Sequence, residues 1–232
     1  MIPVVLAPGL LCDDRLWSLV RPMLKGEVVI VDFTDDETIH AMADRILMEG
    51  PDRFVLAGFS MGGMASMTAA ARAPDRIAGL VLIDTHAEPE TPDRSTRRAR
   101  QIATADSGGF ERLVREELKP VYFADAHGRG GERRLVWNMA LDAGAPQFRR
   151  HVEALMARPD PGAMLGTLTM PVTVVTGEAD TLAPPLAARH LVERLADARL
   201  VLVPDCGHMA PLEAPAVVAA EINRLCCKPE FA

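Results

Sequence analysis

The chain has 232 residues, of which 49% are apolar, 25% charged and 4% aromatic. A chain of that size buries enough surface to fold without disulfide or metal staples, as one domain with room for an inserted subdomain. Its formal net charge of −7 argues against a general affinity for nucleic acid.

The first apolar run, 3–7, begins directly after Met1-Ile2. With no basic segment and no cleavage site ahead of it, the expectation is a cytoplasmic protein without a signal peptide. Pro8-Gly9-Leu10-Leu11-Cys12 then reads as a turn and 17–24 as a helix, before a second apolar run at 27–32. Residues 38–49 carry Ile39, Met42, Ala43, Ile46 and Leu47 on one helical face. A third run, 53–57, leads into Gly58-Phe59-Ser60-Met61-Gly62-Gly63 and an Ala- and Met-rich helix, 61–72, that stops before Pro74. The fourth run occupies 79–84.

From 88 to 167 no convincing strand occurs. Helical stretches at 94–104, 109–117, 131–141 and 145–156 are separated by Gly, Pro and Asp. Residues 92–158 hold 13 Lys/Arg and 9 Asp/Glu, against 12 and 23 in the rest of the chain. Such an excess usually marks solvated helix faces; the sharper reading is a basic lid that meets an acidic substrate or carrier protein. Apolar runs resume at 171–176 and 199–204, with helices at 186–195 and 214–225.

None of the six runs alternates cleanly with polar residues, as fits strands buried on both faces of a parallel sheet. With helices between them they predict an α/β fold. The predicted division is a core of 1–87 and 168–232, with 88–167 inserted as a helical lid. No apolar run reaches the roughly 18 residues of a membrane span.

The strongest chemical signal is the glycine-flanked serine between a strand and a helix. The chain must reverse there within very few residues, which strains the central residue and requires small neighbours. Gly58 and Gly62 supply them, and Ser60 is lifted into a cleft as a candidate nucleophile. The following helix aims its free N–H groups and positive end at the same place.

A serine hydroxyl needs a base to take its proton. Of the six histidines, His40 and His190 fall on helices, and His127 and His151 in the lid. His208 follows the last run, in Asp205-Cys206-Gly207-His208, and loops at the C-terminal ends of parallel strands share one crevice. His86, after the fourth run, is the rival and otherwise a pocket residue. The carboxylate that orients the base is Asp180, in Gly177-Glu178-Ala179-Asp180, or Asp84 after the fourth run; the longer reach of its loop favours Asp180. Backbone N–H groups of Met61 and of Leu10 or Leu11 would hold a developing oxyanion. Leu11, Phe59, His86, Phe123 and Trp137 are candidate pocket residues, although core packing is the blander reading for most of them. Cys12, Cys206, Cys226 and Cys227 show no zinc-site spacing and read as reduced thiols; no metal and no cofactor is implied.

The elbow around Ser60, the Asp180 segment and the Gly207-His208 pair, in the order Ser, Asp, His, resemble the α/β-hydrolase superfamily over nearly the whole chain. The resemblance implies an eight-stranded, mostly parallel sheet with a lid after the sixth strand. This chain starts at what would be the third strand, so six parallel strands are expected, in the spatial order 2-1-3-4-5-6. The resemblance makes Ser60 the nucleophile, His208 the base, Asp180 the acid, and Met61 and Leu10 the oxyanion donors. Pro8-Gly9 stands where many relatives carry His-Gly, which keeps Leu10 and Leu11 both open as the second donor.

The sequence is also similar to bacterial carboxylesterases, including those acting on methyl esters of acyl-carrier thioesters. It implies hydrolysis of a small carboxylic ester, anionic or bound to a carrier protein, through an acyl-enzyme. The expected state is a monomer or homodimer with no membrane or nucleic-acid partner. C–C bond hydrolases, thioesterases and lyases share the fold and the triad. A ligand-binding or signalling protein that keeps the triad is the reading from another class.

Overall fold

The computed structural model describes residues 1–124 and 130–227; His127 lies outside them. One sheet contains β1 (Val4–Ala7), β2 (Val28–Ile30), β3 (Phe54–Phe59), β4 (Ile77–Ile83), β5 (Val172–Gly177) and β6 (Ala198–Val203). Every neighbouring pair is parallel and the order is β2-β1-β3-β4-β5-β6, as expected. In chain order the helices are α1 (Ile39–Glu49), α2 (Met61–Arg72), α3 (Pro92–Thr104), α4 (Phe110–Leu113), α5 (Gly130–Met156), α6 (Gly162–Leu165), α7 (Pro185–Glu193), α8 (Ala210–Glu213) and α9 (Pro215–Cys226).

Successive strand residues point to opposite faces, and here both faces are covered. Val5, Leu56, Leu80, Leu82 and Val174 pack with Met42 and Ile46 of α1, Ala65 and Ala69 of α2, and Leu191 of α7. Val4, Leu6, Val55, Val81, Ile83 and Val175 pack on the other side with Trp17 and with Val218, Ile222 and Leu225 of α9. Two-sided burial is the reason the strands read as unbroken apolar runs. The start of α1 is fixed by Thr38, whose hydroxyl accepts from the Ala41 N–H at 3.0 Å, satisfying one of the free donors of the first turn.

The expected helix over 17–24 is absent. Two short 3₁₀ turns, Asp14–Trp17 and Arg21–Met23, take its place. Asp13 starts the first turn early by accepting from the Arg15 N–H at 2.9 Å. Pro22 has no N–H to donate into a continuing helix. The apolar residues keep their burial regardless, with Leu16, Trp17 and Val20 all inaccessible to solvent. The second strand is shorter than its apolar run, because β2 pairs only with β1 at the sheet edge and is half-buried.

α3 to α6 all lie between β4 and β5. Two wide helical turns, Ala105–Gly109 and Val114–Leu118, flank α4. α5 is broken at Gly144, where φ is 73° and ψ 173°, just ahead of Pro146; the two arms correspond to the separate stretches 131–141 and 145–156. Ala105, Leu113, Val114, Ala140, Phe148 and Val152 form a separate apolar cluster, into which Leu11 inserts from the loop after β1. His151 is buried and its Nε2–H donates to the Phe33 carbonyl at 2.8 Å, tying the insertion to the loop after β2. Among the described residues no helix is long and apolar enough to cross a membrane.

Candidate active site

β3 ends at Phe59 and α2 begins at Met61, so Ser60 alone turns the chain. Its φ is 52° and ψ −114°, a left-handed conformation that costs a non-glycine residue about 1–3 kcal/mol. Hydrogen bonds on both sides of the residue hold it. The Ser60 N–H donates to the Ile83 carbonyl at 2.9 Å, and its carbonyl accepts from the Gly63 N–H at 3.0 Å and the Thr85 hydroxyl at 2.8 Å. The flanking glycines are a steric necessity. A Cβ at Gly58 would stand 2.3 Å from Ser66 Oγ, and one at Gly62 2.4 Å from the Ala7 and Pro8 carbonyl oxygens.

The loops after β5 and β6 converge on this turn. His208 Nε2 lies 3.0 Å from Ser60 Oγ, and His208 Nδ1 lies 2.8 Å from Asp180 Oδ2. The other Asp180 oxygen accepts from the N–H groups of Leu182 at 2.8 Å and Ala183 at 3.0 Å. His208 and Asp180 are 4% and 3% exposed. With Nδ1–H directed at the carboxylate, Nε2 is the ring's acceptor and the serine donates to it. Burial alone would pull the imidazole pKa down. The charge and hydrogen bond of Asp180, helped by the Asp84 charge, reverse this and hold it above the ordinary histidine value.

Asp84, the alternative acid, is fully buried and occupied elsewhere. It accepts from the Gly177 N–H at 3.1 Å and the Ala210 N–H at 2.9 Å, clamping the end of β5 to the turn after His208. Burial, and then the neighbouring Asp180 charge, raise it to about 7. His86 is also buried; burial first, then the charges of Arg94, Arg158 and Arg98, push it down to about 3.

A cavity of about 400 Å³ opens over Ser60 and His208. Leu10 and Met61 line it from the core, and Arg94, Gln101, Leu118 and Tyr122 from the insertion. Met61 opens α2, so its N–H has no intrahelical acceptor. Neither that group nor the Leu10 N–H donates to any described residue. Leu11 has φ 57°, and its side chain is sunk in the insertion's apolar cluster. His86 lines the cavity. Phe59, Phe123 and Trp137 are not among its lining residues: Phe59 packs 5.3 Å from the His208 ring, and Phe123 and Trp137 lie beneath the guanidinium groups of Arg133 and Arg115. Cys12 is buried and burial raises its pKa to about 11, which leaves an inert thiol.

Two contributors carried no sequence signal. The Tyr122 carbonyl, from the insertion, accepts from the His208 N–H at 2.7 Å. Glu213 accepts from the N–H groups of Gly207 at 2.9 Å, Met209 at 3.2 Å and Ala124 at 3.2 Å, so one carboxylate frames the His208 loop. Glu213→Ala leaves three donors without that acceptor, and a destabilisation of about 1–3 kcal/mol is expected by chemical denaturation. Turnover should fall with it, since the histidine is positioned by this frame; unchanged stability and turnover would show that the frame has no such role.

A model of the alpha/beta hydrolase family matches residues 4–221. The chain is 31% identical over 190 residues to a pimeloyl-[acyl-carrier protein] methyl ester esterase of Aromatoleum aromaticum, covering 77% of this chain and 76% of the relative. It is 28% identical over 193 residues to a 2-succinyl-6-hydroxy-2,4-cyclohexadiene-1-carboxylate synthase of an Enterobacter species, covering 80% and 71%. Among solved structures, a malate-bound thermophilic esterase from Thermogutta terrifontis superposes with a TM-score of 0.87 at 27% identity, covering 98% of this chain and 90% of that one. With the parallel sheet, the serine turn and the matched span in agreement, the chain belongs to the alpha/beta hydrolase family.

Proposed function

We propose that the protein hydrolyses carboxylic esters through an acyl-enzyme, with Ser60 as nucleophile, His208 as base and Asp180 as the acid that orients it. The observation that carries this reading is the hydrogen-bonded series from Ser60 Oγ to His208 Nε2 at 3.0 Å and from His208 Nδ1 to Asp180 at 2.8 Å, at the floor of a cavity. Ser60 Oγ attacks the acyl carbon as His208 takes its proton. The N–H groups of Met61 and Leu10 hold the oxyanion of the tetrahedral intermediate. His208 then returns the proton to the leaving alcohol. Water enters, gives a proton to the same imidazole, attacks the acyl-enzyme, and the acid leaves as Ser60 regains its hydrogen.

Residues 88–167 serve as a lid over this site, since insertion residues supply one wall of the cavity. The substrate is a small-molecule ester or one borne on a carrier. The esterases among the similar proteins, one named for a carrier-borne methyl ester and one with malate bound, support esters over other chemistry of the same triad.

A fluorophosphonate probe, which captures an activated serine, tests the assignment. Peptide mass spectrometry should find the adduct on Ser60, with ester turnover lost in step with labelling. An active protein that takes no label, or takes it on another residue, would refute it.

A further inference from the structure

Arg94, in the first turn of α3, lines the same cavity as Ser60 and His208. Its Nη1 is buried and has no hydrogen-bond partner. Nearby acids are engaged by other groups. Glu90 pairs with Arg98 at 2.9 Å and also with Arg158. Glu117 accepts from Arg100 at 2.9 Å and from Gln101 at 2.7 Å, and Glu88 faces His190 at 3.1 Å. A guanidinium N–H withdrawn from water without an acceptor is unfavourable unless a ligand brings one.

The surroundings favour an anion. Arg97 and Arg98 line the cavity beside Arg94; the acids in its lining are Glu117 and Asp84, both already hydrogen-bonded. His86 is kept neutral by burial and by the guanidinium charges around it. Its Nδ1 accepts from the Glu88 N–H at 3.1 Å, which places the ring proton on Nε2 of a residue that also lines the cavity. Arg94 also borders a neighbouring cleft with Pro89, Thr91, Pro184 and Leu186, so it stands at the outer side of the cavity.

We propose that Arg94 is the recognition residue of a carboxylate subsite, and that the preferred substrate is an ester carrying a carboxylate remote from the scissile bond. The ester carbonyl sits at Ser60 while the carboxylate meets the free guanidinium N–H, with the His86 ring as its neighbour. A single guanidinium edge suits a planar monoanion. The inference rests on the ester-hydrolase reading and names the substrate class for that site.

The test compares methyl hydrogen adipate with methyl hexanoate, which have the same chain length and differ in the terminal charge. In the wild-type protein kcat/KM should favour the adipate ester by about tenfold or more, chiefly through KM, the size expected for one charge-assisted hydrogen bond. Arg94→Gln should bring that ratio to about one, and Arg94→Lys should retain part of it. A wild-type ratio of one or below, or a ratio that Arg94→Gln leaves unchanged, overturns the subsite; the wild-type ratio decides even if the glutamine variant does not fold. Calorimetry separates this from the underlying reading. If neither ester turns over but methyl hydrogen adipate binds, and binds about tenfold more weakly to Arg94→Gln, the subsite stands and the hydrolase falls. Turnover of both esters without preference sinks the subsite alone, and neither turnover nor binding sinks both.

Discussion

Ser60→Ala is expected to lower kcat on a short-chain aryl ester by about a millionfold, the loss seen when a triad nucleophile is removed. Among the described residues no other hydroxyl is hydrogen-bonded to the imidazole in its place, and Cys12, which does not line the cavity, is held protonated by burial. Under the proposed assignment the residual rate comes from the N–H groups of Leu10 and Met61, which would still polarise the carbonyl. Because alanine has the same backbone preference as serine at φ 52°, the strained turn survives and the protein should fold. A second substitution, His208→Ala, should then cost little more, since base and nucleophile act as a unit. Turnover that persists in the single variant, or losses that multiply in the double one, would remove the acyl-enzyme route.

Asp180→Asn is expected to reduce kcat by about ten-thousandfold, as when the orienting carboxylate of a triad loses its charge. The amide carries no charge, and turned the other way its N–H donates to Nδ1 instead of accepting from it. The imidazole then samples the tautomer whose Nε2 carries the proton and cannot accept from Ser60. The pH profile adds an independent readout. His208 must be neutral to act as a base, so kcat/KM rises with pH through its pKa. That midpoint should lie above the ordinary histidine value of about 6.5, because Asp180 and Asp84 favour the charged ring against its burial. Removing the Asp180 charge should move the acid limb to lower pH. If Asp84→Asn gives the larger loss and the larger shift, the two carboxylates have been assigned the wrong way round.

Much of this architecture was legible from local pattern. Buried parallel strands announce themselves as runs of Val, Ile and Leu, and Gly58 and Gly62 mark a turn that tolerates no side chain. The placement of His208 and Asp180 on one edge is readable because the loops bearing them follow parallel strands. What failed was tertiary in origin. The 17–24 segment has helical apolar spacing, but Pro22 and the cap at Asp13 divide it. The aromatic residues considered for the pocket went to packing: Phe59 against the His208 ring, Phe123 and Trp137 under arginines. Glu213 and the Tyr122 carbonyl act through backbone contacts that no residue type reports. In sequence Arg94 is one basic residue among many; what sets it apart is that Glu90 and Glu117 are engaged by other groups.

His208 is seated by an acceptor from the insertion. That acceptor is a main-chain oxygen, at Tyr122, on the connection that also walls the cavity. Under the proposed mechanism, substrate fit and proton transfer therefore depend on one main-chain contact. Grafting this connection from another hydrolase, or randomising it to broaden the range of esters accepted, will tilt the imidazole unless the incoming segment presents an oxygen at the same spot, whatever side chain it carries there.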